Sequence, residues 1–124
     1  MTNVDVSLKM LLTEVEGALG AAVVDYNSGM ALGVLGGGKE LDLTVAAAGN
    51  TDVIRAKMRT METLGLQDKI DDILITLGTQ YHLLRPVVGS NGHGLFIYLV
   101  IDRSRSNLAM ARHYLKRVEE QLEV

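Results

Sequence analysis

Seven consecutive apolar residues, Leu95 to Ile101, most tightly constrain how this chain can fold. The run is far short of the ~20 residues that a membrane-spanning helix needs, so no membrane insertion is expected. It sits between a loop rich in turn formers, Gly89-Ser90-Asn91-Gly92-His93-Gly94, and Asp102, and it has the length of a strand. A strand that is apolar on both faces needs both faces covered. The sheet it belongs to must therefore lie between helices.

The rest of the pattern supplies those helices. Val4 to Val15 reads as an amphipathic helix with Leu8, Leu11, Leu12 and Val15 on one side, capped by Asp5 or Ser7 and ended by Gly17. Leu19 to Tyr26 and Met30 to Leu35 form a hairpin around the turn Asn27-Ser28-Gly29. Gly36-Gly37-Gly38 reads as a flexible break. Glu40 to Leu64 is then one long helix, with Leu43, Ala47, Ile54, Met58 and Met61 along one stripe and Asn50 in its polar slot. At 1.5 Å per residue it would span about 36 Å, and Gly65 stops it.

Ile73 to Leu77 and Tyr81 to Arg85 are strands joined at Gly78-Thr79-Gln80, with Pro86 closing the second where a missing donor costs little. Arg103 to about Leu122 is the last helix, buried through Leu108, Ala111, Leu115, Val118 and Leu122 and capped by Ser104 or Ser106. The expectation is a single α/β (α+β) domain over residues 1–124, in the order α-β-β-α-β-β-β-α. One five-stranded, mostly antiparallel sheet is flanked by helices on both faces, a profilin-like architecture.

Composition removes several function classes. A net charge of −3 leaves no basic footprint for nucleic acid, and the absence of cysteine removes disulfides and thiolate metal sites. The N-terminal residues carry no basic stretch followed by a long apolar one, so no signal peptide is read and a cytoplasmic protein is expected.

Gly33-Val34-Leu35-Gly36-Gly37-Gly38-Lys39 fits the spacing of a phosphate-binding loop. Glu40 stands where a magnesium-ligating hydroxyl belongs, however, and the preceding strand is half of a hairpin, so a helix entry is the better reading. Asp68, Asp71 and Asp72 cluster without calcium-loop spacing and read as solubilising acids ahead of a strand edge. His82, His93 and His113 are scattered through a strand, a loop and a helix, and Ser90 lacks the surroundings of a nucleophile. No catalytic constellation, metal site or cofactor is expected.

The long helix carries the features that point to a partner. Val45-Ala46-Ala47-Ala48-Gly49 is small on every side, which suits close packing against a sheet and against a second copy. Beyond it lie Asp52, Arg55, Lys57, Arg59 and Glu62, a mixed-charge face for solvent or a partner. The arginine pair can read a carboxylate or phosphate, or else pair with Asp52 and Glu62 along the helix.

With these elements in this order the chain resembles the roadblock / dynein light chain family. The resemblance is carried by Gly20-Ala21-Ala22-Val23-Val24-Asp25 with Ser28-Gly29-Met30-Ala31-Leu32, and by the small-residue start of the long helix. It continues through Ile73-Leu74-Ile75, Tyr81-His82-Leu83-Leu84-Arg85-Pro86, Leu95 to Val100 and the closing helix. It implies a regulatory module rather than an enzyme. Relatives pair as homodimers or heterodimers through the third strand and the long helices, which would place Val45, Ala46, Ala48, Gly49, Ile73, Leu74 and Ile75 in a dimer interface. They bind small Ras-like GTPases, which would give Asp52, Arg55, Lys57, Arg59 and Glu62 a partner. The alternative is a ligand-sensing or dynein-light-chain-type scaffolding domain, contacting a small molecule or peptide through Gly89 to Gly94 or Gly36 to Gly38.

Overall fold

Helix α1 (Val4–Glu14) begins at Asn3, whose side chain accepts a hydrogen bond from the Val6 amide at 2.9 Å, so neither Asp5 nor Ser7 is the cap. The hairpin β1 (Ala18–Asp25) and β2 (Met30–Gly36) follows, then α2 (Leu43–Leu64), β3 (Ile73–Thr76), β4 (Gln80–Pro86) and β5 (Leu95–Asp102). A single 3-10 turn, Arg103–Arg105, leads into α3 (Leu108–Gln121). The computed structural model describes residues 3–88 and 94–124.

All neighbouring strands are antiparallel, in the order β2-β1-β5-β4-β3. The run Leu95 to Ile101 is therefore the central strand, and every one of its side chains is buried. Alternation splits these side chains between two cores. Leu95, Ile97, Leu99 and Ile101 pack with Leu8, Leu11, Leu115 and Val118 of α1 and α3. Phe96, Tyr98 and Val100 pack with Leu43, Ala47 and Ile54 of α2. Two helices thus cover one face and a single helix covers the other.

Further local readings are corrected. The long helix starts at Leu43, not Glu40, because the Asp42 carboxylate accepts from the Thr44 and Val45 amides at 3.0 and 3.2 Å. Ahead of it Gly38 and Leu41 exchange backbone hydrogen bonds in both directions, each 3.1 Å, which bends the chain before the helix can begin. The last helix is capped by Asn107, not by Ser104 or Ser106, while the Asp102 carboxylate accepts from the Ser104 amide to hold the preceding 3-10 turn.

Nor is the triple glycine a flexible break. Gly36 and Gly37 both sit at φ +80, where side chains are strained, and a Cβ on either would lie 2.6 Å from a backbone oxygen, of Leu19 and Leu41 respectively. The stretch is a tight, determined connection. Its upstream glycine, Gly33, lies inside β2, and a Cβ there would meet Val4 Cγ1 at 2.7 Å. That glycine admits α1 against the hairpin, which leaves no room for a phosphate-loop role.

Candidate functional site

Helix α2 does not sit over the middle of its face. It packs on β1 and β2, the far half of the sheet from β3. On the uncovered half, Ile73 and Ile75 of β3 and His82 of β4 stay half-buried beside the α2-side core. Strand β3 pairs only with β4, so its other edge presents unpaired backbone groups. A free strand edge, a half-covered sheet face and the flank of α2 therefore adjoin one another.

The predicted interface residues divide on this frame. Ile73 and Ile75 point to the α2 side, whereas Leu74 packs into the opposite core, leaving its backbone as its contribution to the edge. On α2, Val45 is 68% exposed on the outer crest, and a Cβ on Gly49 would meet nothing within 4 Å. Ala46 is half-buried against the α2-side core. Ala48 lies elsewhere, over the β1–β2 turn, where its Cα would be 3.8 Å from a Cβ on Gly29.

The charged residues divide as well. At about 100° per residue, Asp52, Arg55, Arg59 and Glu62 fall within about 80° of one another on the flank shared with Ala48. Lys57 lies roughly 160° around the helix from Arg55, on the flank of Asn50 and Ala46 that faces the uncovered half-sheet. All five are exposed. Among the described residues, neither Arg55 nor Arg59 forms an ion pair, so the expected pairing with Asp52 and Glu62 along the helix is not made.

Under the uncovered half runs a polar chain that the sequence reading did not assemble. The His82 ring lies between the Tyr98 hydroxyl, 2.8 Å from Nδ1, and Gln80 Oε1, 2.8 Å from Nε2. Tyr98 is only 1% exposed, and its hydroxyl also meets the side chain of Asn50 on α2. Burial holds the His82 pKa below its ordinary value and pushes the Tyr98 phenol up, the Asn50 contact opposing the latter. The polar slot at Asn50 was legible, but its partner Tyr98 lies 48 positions away, and His82, the next link, 32.

The remaining candidates have structural places. Asp72 takes Arg112 of α3 in a two-pronged pair at 2.9 and 3.0 Å, and Asp68 accepts from the Lys69 amide. His113 stacks edge-on with Tyr114 on α3, away from this face. Ser90, His93 and the loop from Gly89 to Gly92 lie outside the described residues. Met58 and Met61, expected in the core, are half-buried and line a 470 Å³ cleft with Tyr26, Ile70, Pro86 and Val87, with Glu62 also in its wall.

Comparison with solved structures gives the architecture its parallel. A Roadblock/LC7 domain from Streptomyces avermitilis superposes with a TM-score of 0.80 over 96% of this chain and 93% of that one, at 13% identity. The fold is the roadblock fold. Myxococcus xanthus MglB matches at a TM-score of 0.80 and 16% identity, over 94% of this chain and 82% of that one. The gliding protein MglB of Thermus thermophilus matches at 0.78 and 18% identity, over 94% and 83%. No family model and no curated protein sequence matches the chain. The roadblock likeness thus lives in the layout of strands and helices more than in residue identity. Among the described residues, no helix is long and apolar enough to cross a membrane.

Proposed function

We propose that this roadblock-fold chain is a non-enzymatic regulatory module that self-associates and binds a small Ras-like GTPase to modulate its nucleotide cycle. The single observation that carries the reading is the off-centre seat of α2, which leaves the β3 edge unpaired and the adjoining Ile73, Ile75 and His82 only half-buried. A second copy related by a two-fold axis pairs its β3 against this one, extends the sheet, and lays its own α2 beside the first. Ala46 and Lys57 then face the dimer axis, with Val45 and Gly49 on the outer crest between the two flanks and the backbone of Ile73, Leu74 and Ile75 along the seam.

The opposite flank of α2 remains outward in that arrangement. Asp52, Arg55, Arg59 and Glu62 are the residues it offers to the switch loops of a GTPase, with Ala48 at its small-residue end. Two arginines without an ion pair among the described residues suit an acidic or phosphate-bearing surface. The module acts by holding a loop conformation of its partner, and it supplies no reacting group of its own.

The test is binding of the purified chain to a Ras-like GTPase from the same genome, loaded with GDP or a GTP analogue, with hydrolysis followed in parallel. Preference for the GTP form with faster turnover supports an activating module, and nucleotide-blind binding supports a scaffold. Absence of binding to every such GTPase rejects the reading. The cleft beside Met58 and Met61 favours the alternative of a small-molecule or peptide sensor, in which case a thermal-shift screen raises the melting temperature with a bound ligand.

A further inference from the structure

The hydrogen-bonded chain from Asn50 to Gln80 has a direction, and that direction is set by one proton. Gln80 Oε1 can only accept, so His82 Nε2 carries the hydrogen and Nδ1 is left as an acceptor. Tyr98 therefore donates its hydroxyl hydrogen to Nδ1, and its oxygen accepts from the Asn50 amide. While His82 is neutral, each link of the chain has one donor and one acceptor.

Protonating the ring reverses that order. Nδ1 then bears a hydrogen aimed at the Tyr98 oxygen, and the phenol hydrogen must turn away from it. Tyr98 is 1% exposed, so water does not take that hydrogen. The acceptor within reach is Asn50, whose amide must rotate to present its oxygen. The disturbance starts on the half-buried His82 of β4, crosses the buried Tyr98 of the central strand β5 and ends at Asn50 on the flank of α2.

The surroundings offer the cation little compensation. From β3 the cross-strand neighbour of His82 is Ile75, and from β5 it faces Val100 and Tyr98. Among charged groups, Asp102 is paired with Gln80 in register but spends its carboxylate on Ser104. Lys57 lies on the same flank of α2 as Asn50 and adds a like charge. Arg85 lies on the other face of the sheet, paired with Glu119.

We propose that His82 is a proton-operated latch on self-association: the neutral ring holds the open half-sheet ready for a second copy, and protonation releases it. The inference rests on the dimer reading above and adds its regulation. A covering second copy withdraws His82 further from water, so the associated form favours the neutral ring more strongly than the free chain does.

Sedimentation of the purified full chain at about pH 7.5 and about pH 5.5 tests it, either side of the ordinary imidazole range. The dimer dissociation constant is expected to rise several-fold at the lower pH, because each of the two His82 rings in a dimer links one proton to dissociation. His82→Gln, which retains His93 and His113, is expected to associate equally at both. An unchanged wild-type constant, or a variant that follows the wild type, overturns the latch and leaves the dimer standing. A chain monomeric at both values overturns the dimer and the latch together. If His82→Gln fails to associate at either pH, the His82 ring is titrated by NMR in the wild-type chain. A midpoint that falls as protein concentration rises supports the latch, and a concentration-independent midpoint overturns it.

Discussion

Glu119 of α3 and Arg85 of β4 form an ion pair at 3.2 Å beneath the closing helix, with only 6% and 13% of their side chains exposed. Buried charges are tolerated only when paired, so removing one partner strands the other. Glu119→Ala is expected to cost about 3 kcal/mol of folding stability, read from urea denaturation. The double variant Arg85→Met with Glu119→Leu is expected to recover most of that loss, because it strands no charge. A single-variant loss below about 1 kcal/mol would show the pair to be effectively solvated.

The glycines of the β2–α2 connection separate two kinds of residue that look identical in sequence. Gly36→Ala places a Cβ 2.6 Å from the Leu19 carbonyl oxygen at φ +80, so a loss of more than about 1 kcal/mol is expected. Gly38→Ala meets nothing within 4 Å and leaves no left-handed conformation to strain, so it is expected to be neutral or to stabilise by about 0.5 kcal/mol. Equal effects at the two positions would contradict the tight connection described above.

Three glycines in a row look the same whether they are loose or jointly forced, because the atoms that force them, Leu19 O and Leu41 O, belong to other parts of the chain. Elements with long periodic signals were legible: the apolar run at Leu95 marked a strand buried on both faces, and the stripe from Leu43 to Met61 marked α2. The start of α2 was not, since Asp42 and the Gly38–Leu41 pairing compete locally with a pattern that continues through Leu41. The candidate surface was half legible. Its residue types stood out, but the division of Lys57 from Arg55 needs to be seen against the off-centre helix. The Asn50–Tyr98–His82 chain joins three elements that only the β4–β5 register and the seat of α2 on the sheet bring together.

Acid should weaken the fold through His82 even where no second copy is bound. Its pKa is lowered by burial from the ordinary 6.5, so the neutral ring contributes stability that is complete above that value. The contribution falls as pH drops below 6.5 and levels off once the folded-state pKa is passed. Denaturation of the dilute chain across this window is expected to show a slope that His82→Gln lacks. At lower pH, Asp102 adds a second decline: hydrogen bonds from Ser104 hold its pKa below the usual 3.8, so its share is lost as that carboxylate protonates. Ser104→Ala should flatten only that second decline.

The clamp between Asp72 and Arg112 fixes the start of β3 against α3, although the Arg112 side chain is 43% exposed. A pair this open contributes little to folding, so Asp72→Asn is expected to lower stability by less than about 1 kcal/mol. If β3 is the dimer seam, loosening the residue just ahead of it has a larger effect on association, because the edge must be held straight to pair. A dissociation constant raised several-fold with an almost unchanged melting temperature is the expected combination. Parallel losses in both would assign the clamp to the fold alone.

Charge reversals on the two flanks of α2 give the sharpest separation of roles. Arg55→Glu and Arg59→Glu alter the flank on the hairpin side, where both side chains are exposed and unpaired among the described residues. They are expected to reduce GTPase binding by tenfold or more, about 1.4 kcal/mol, while sedimentation still reports a dimer. Lys57→Glu, roughly 160° around the helix, is expected to do the opposite. In the proposed dimer two copies of the residue face one another across the axis, so this position bears on self-association and acts on GTPase binding only through that equilibrium. Two like charges exchanged for two others leave the repulsion in place, so the informative partner is Lys57→Gln, which should tighten the dimer. If Lys57→Gln left self-association unchanged while Arg55→Glu abolished it, the two flanks would have to be exchanged, with the partner seated over the half-sheet and the second copy over the hairpin.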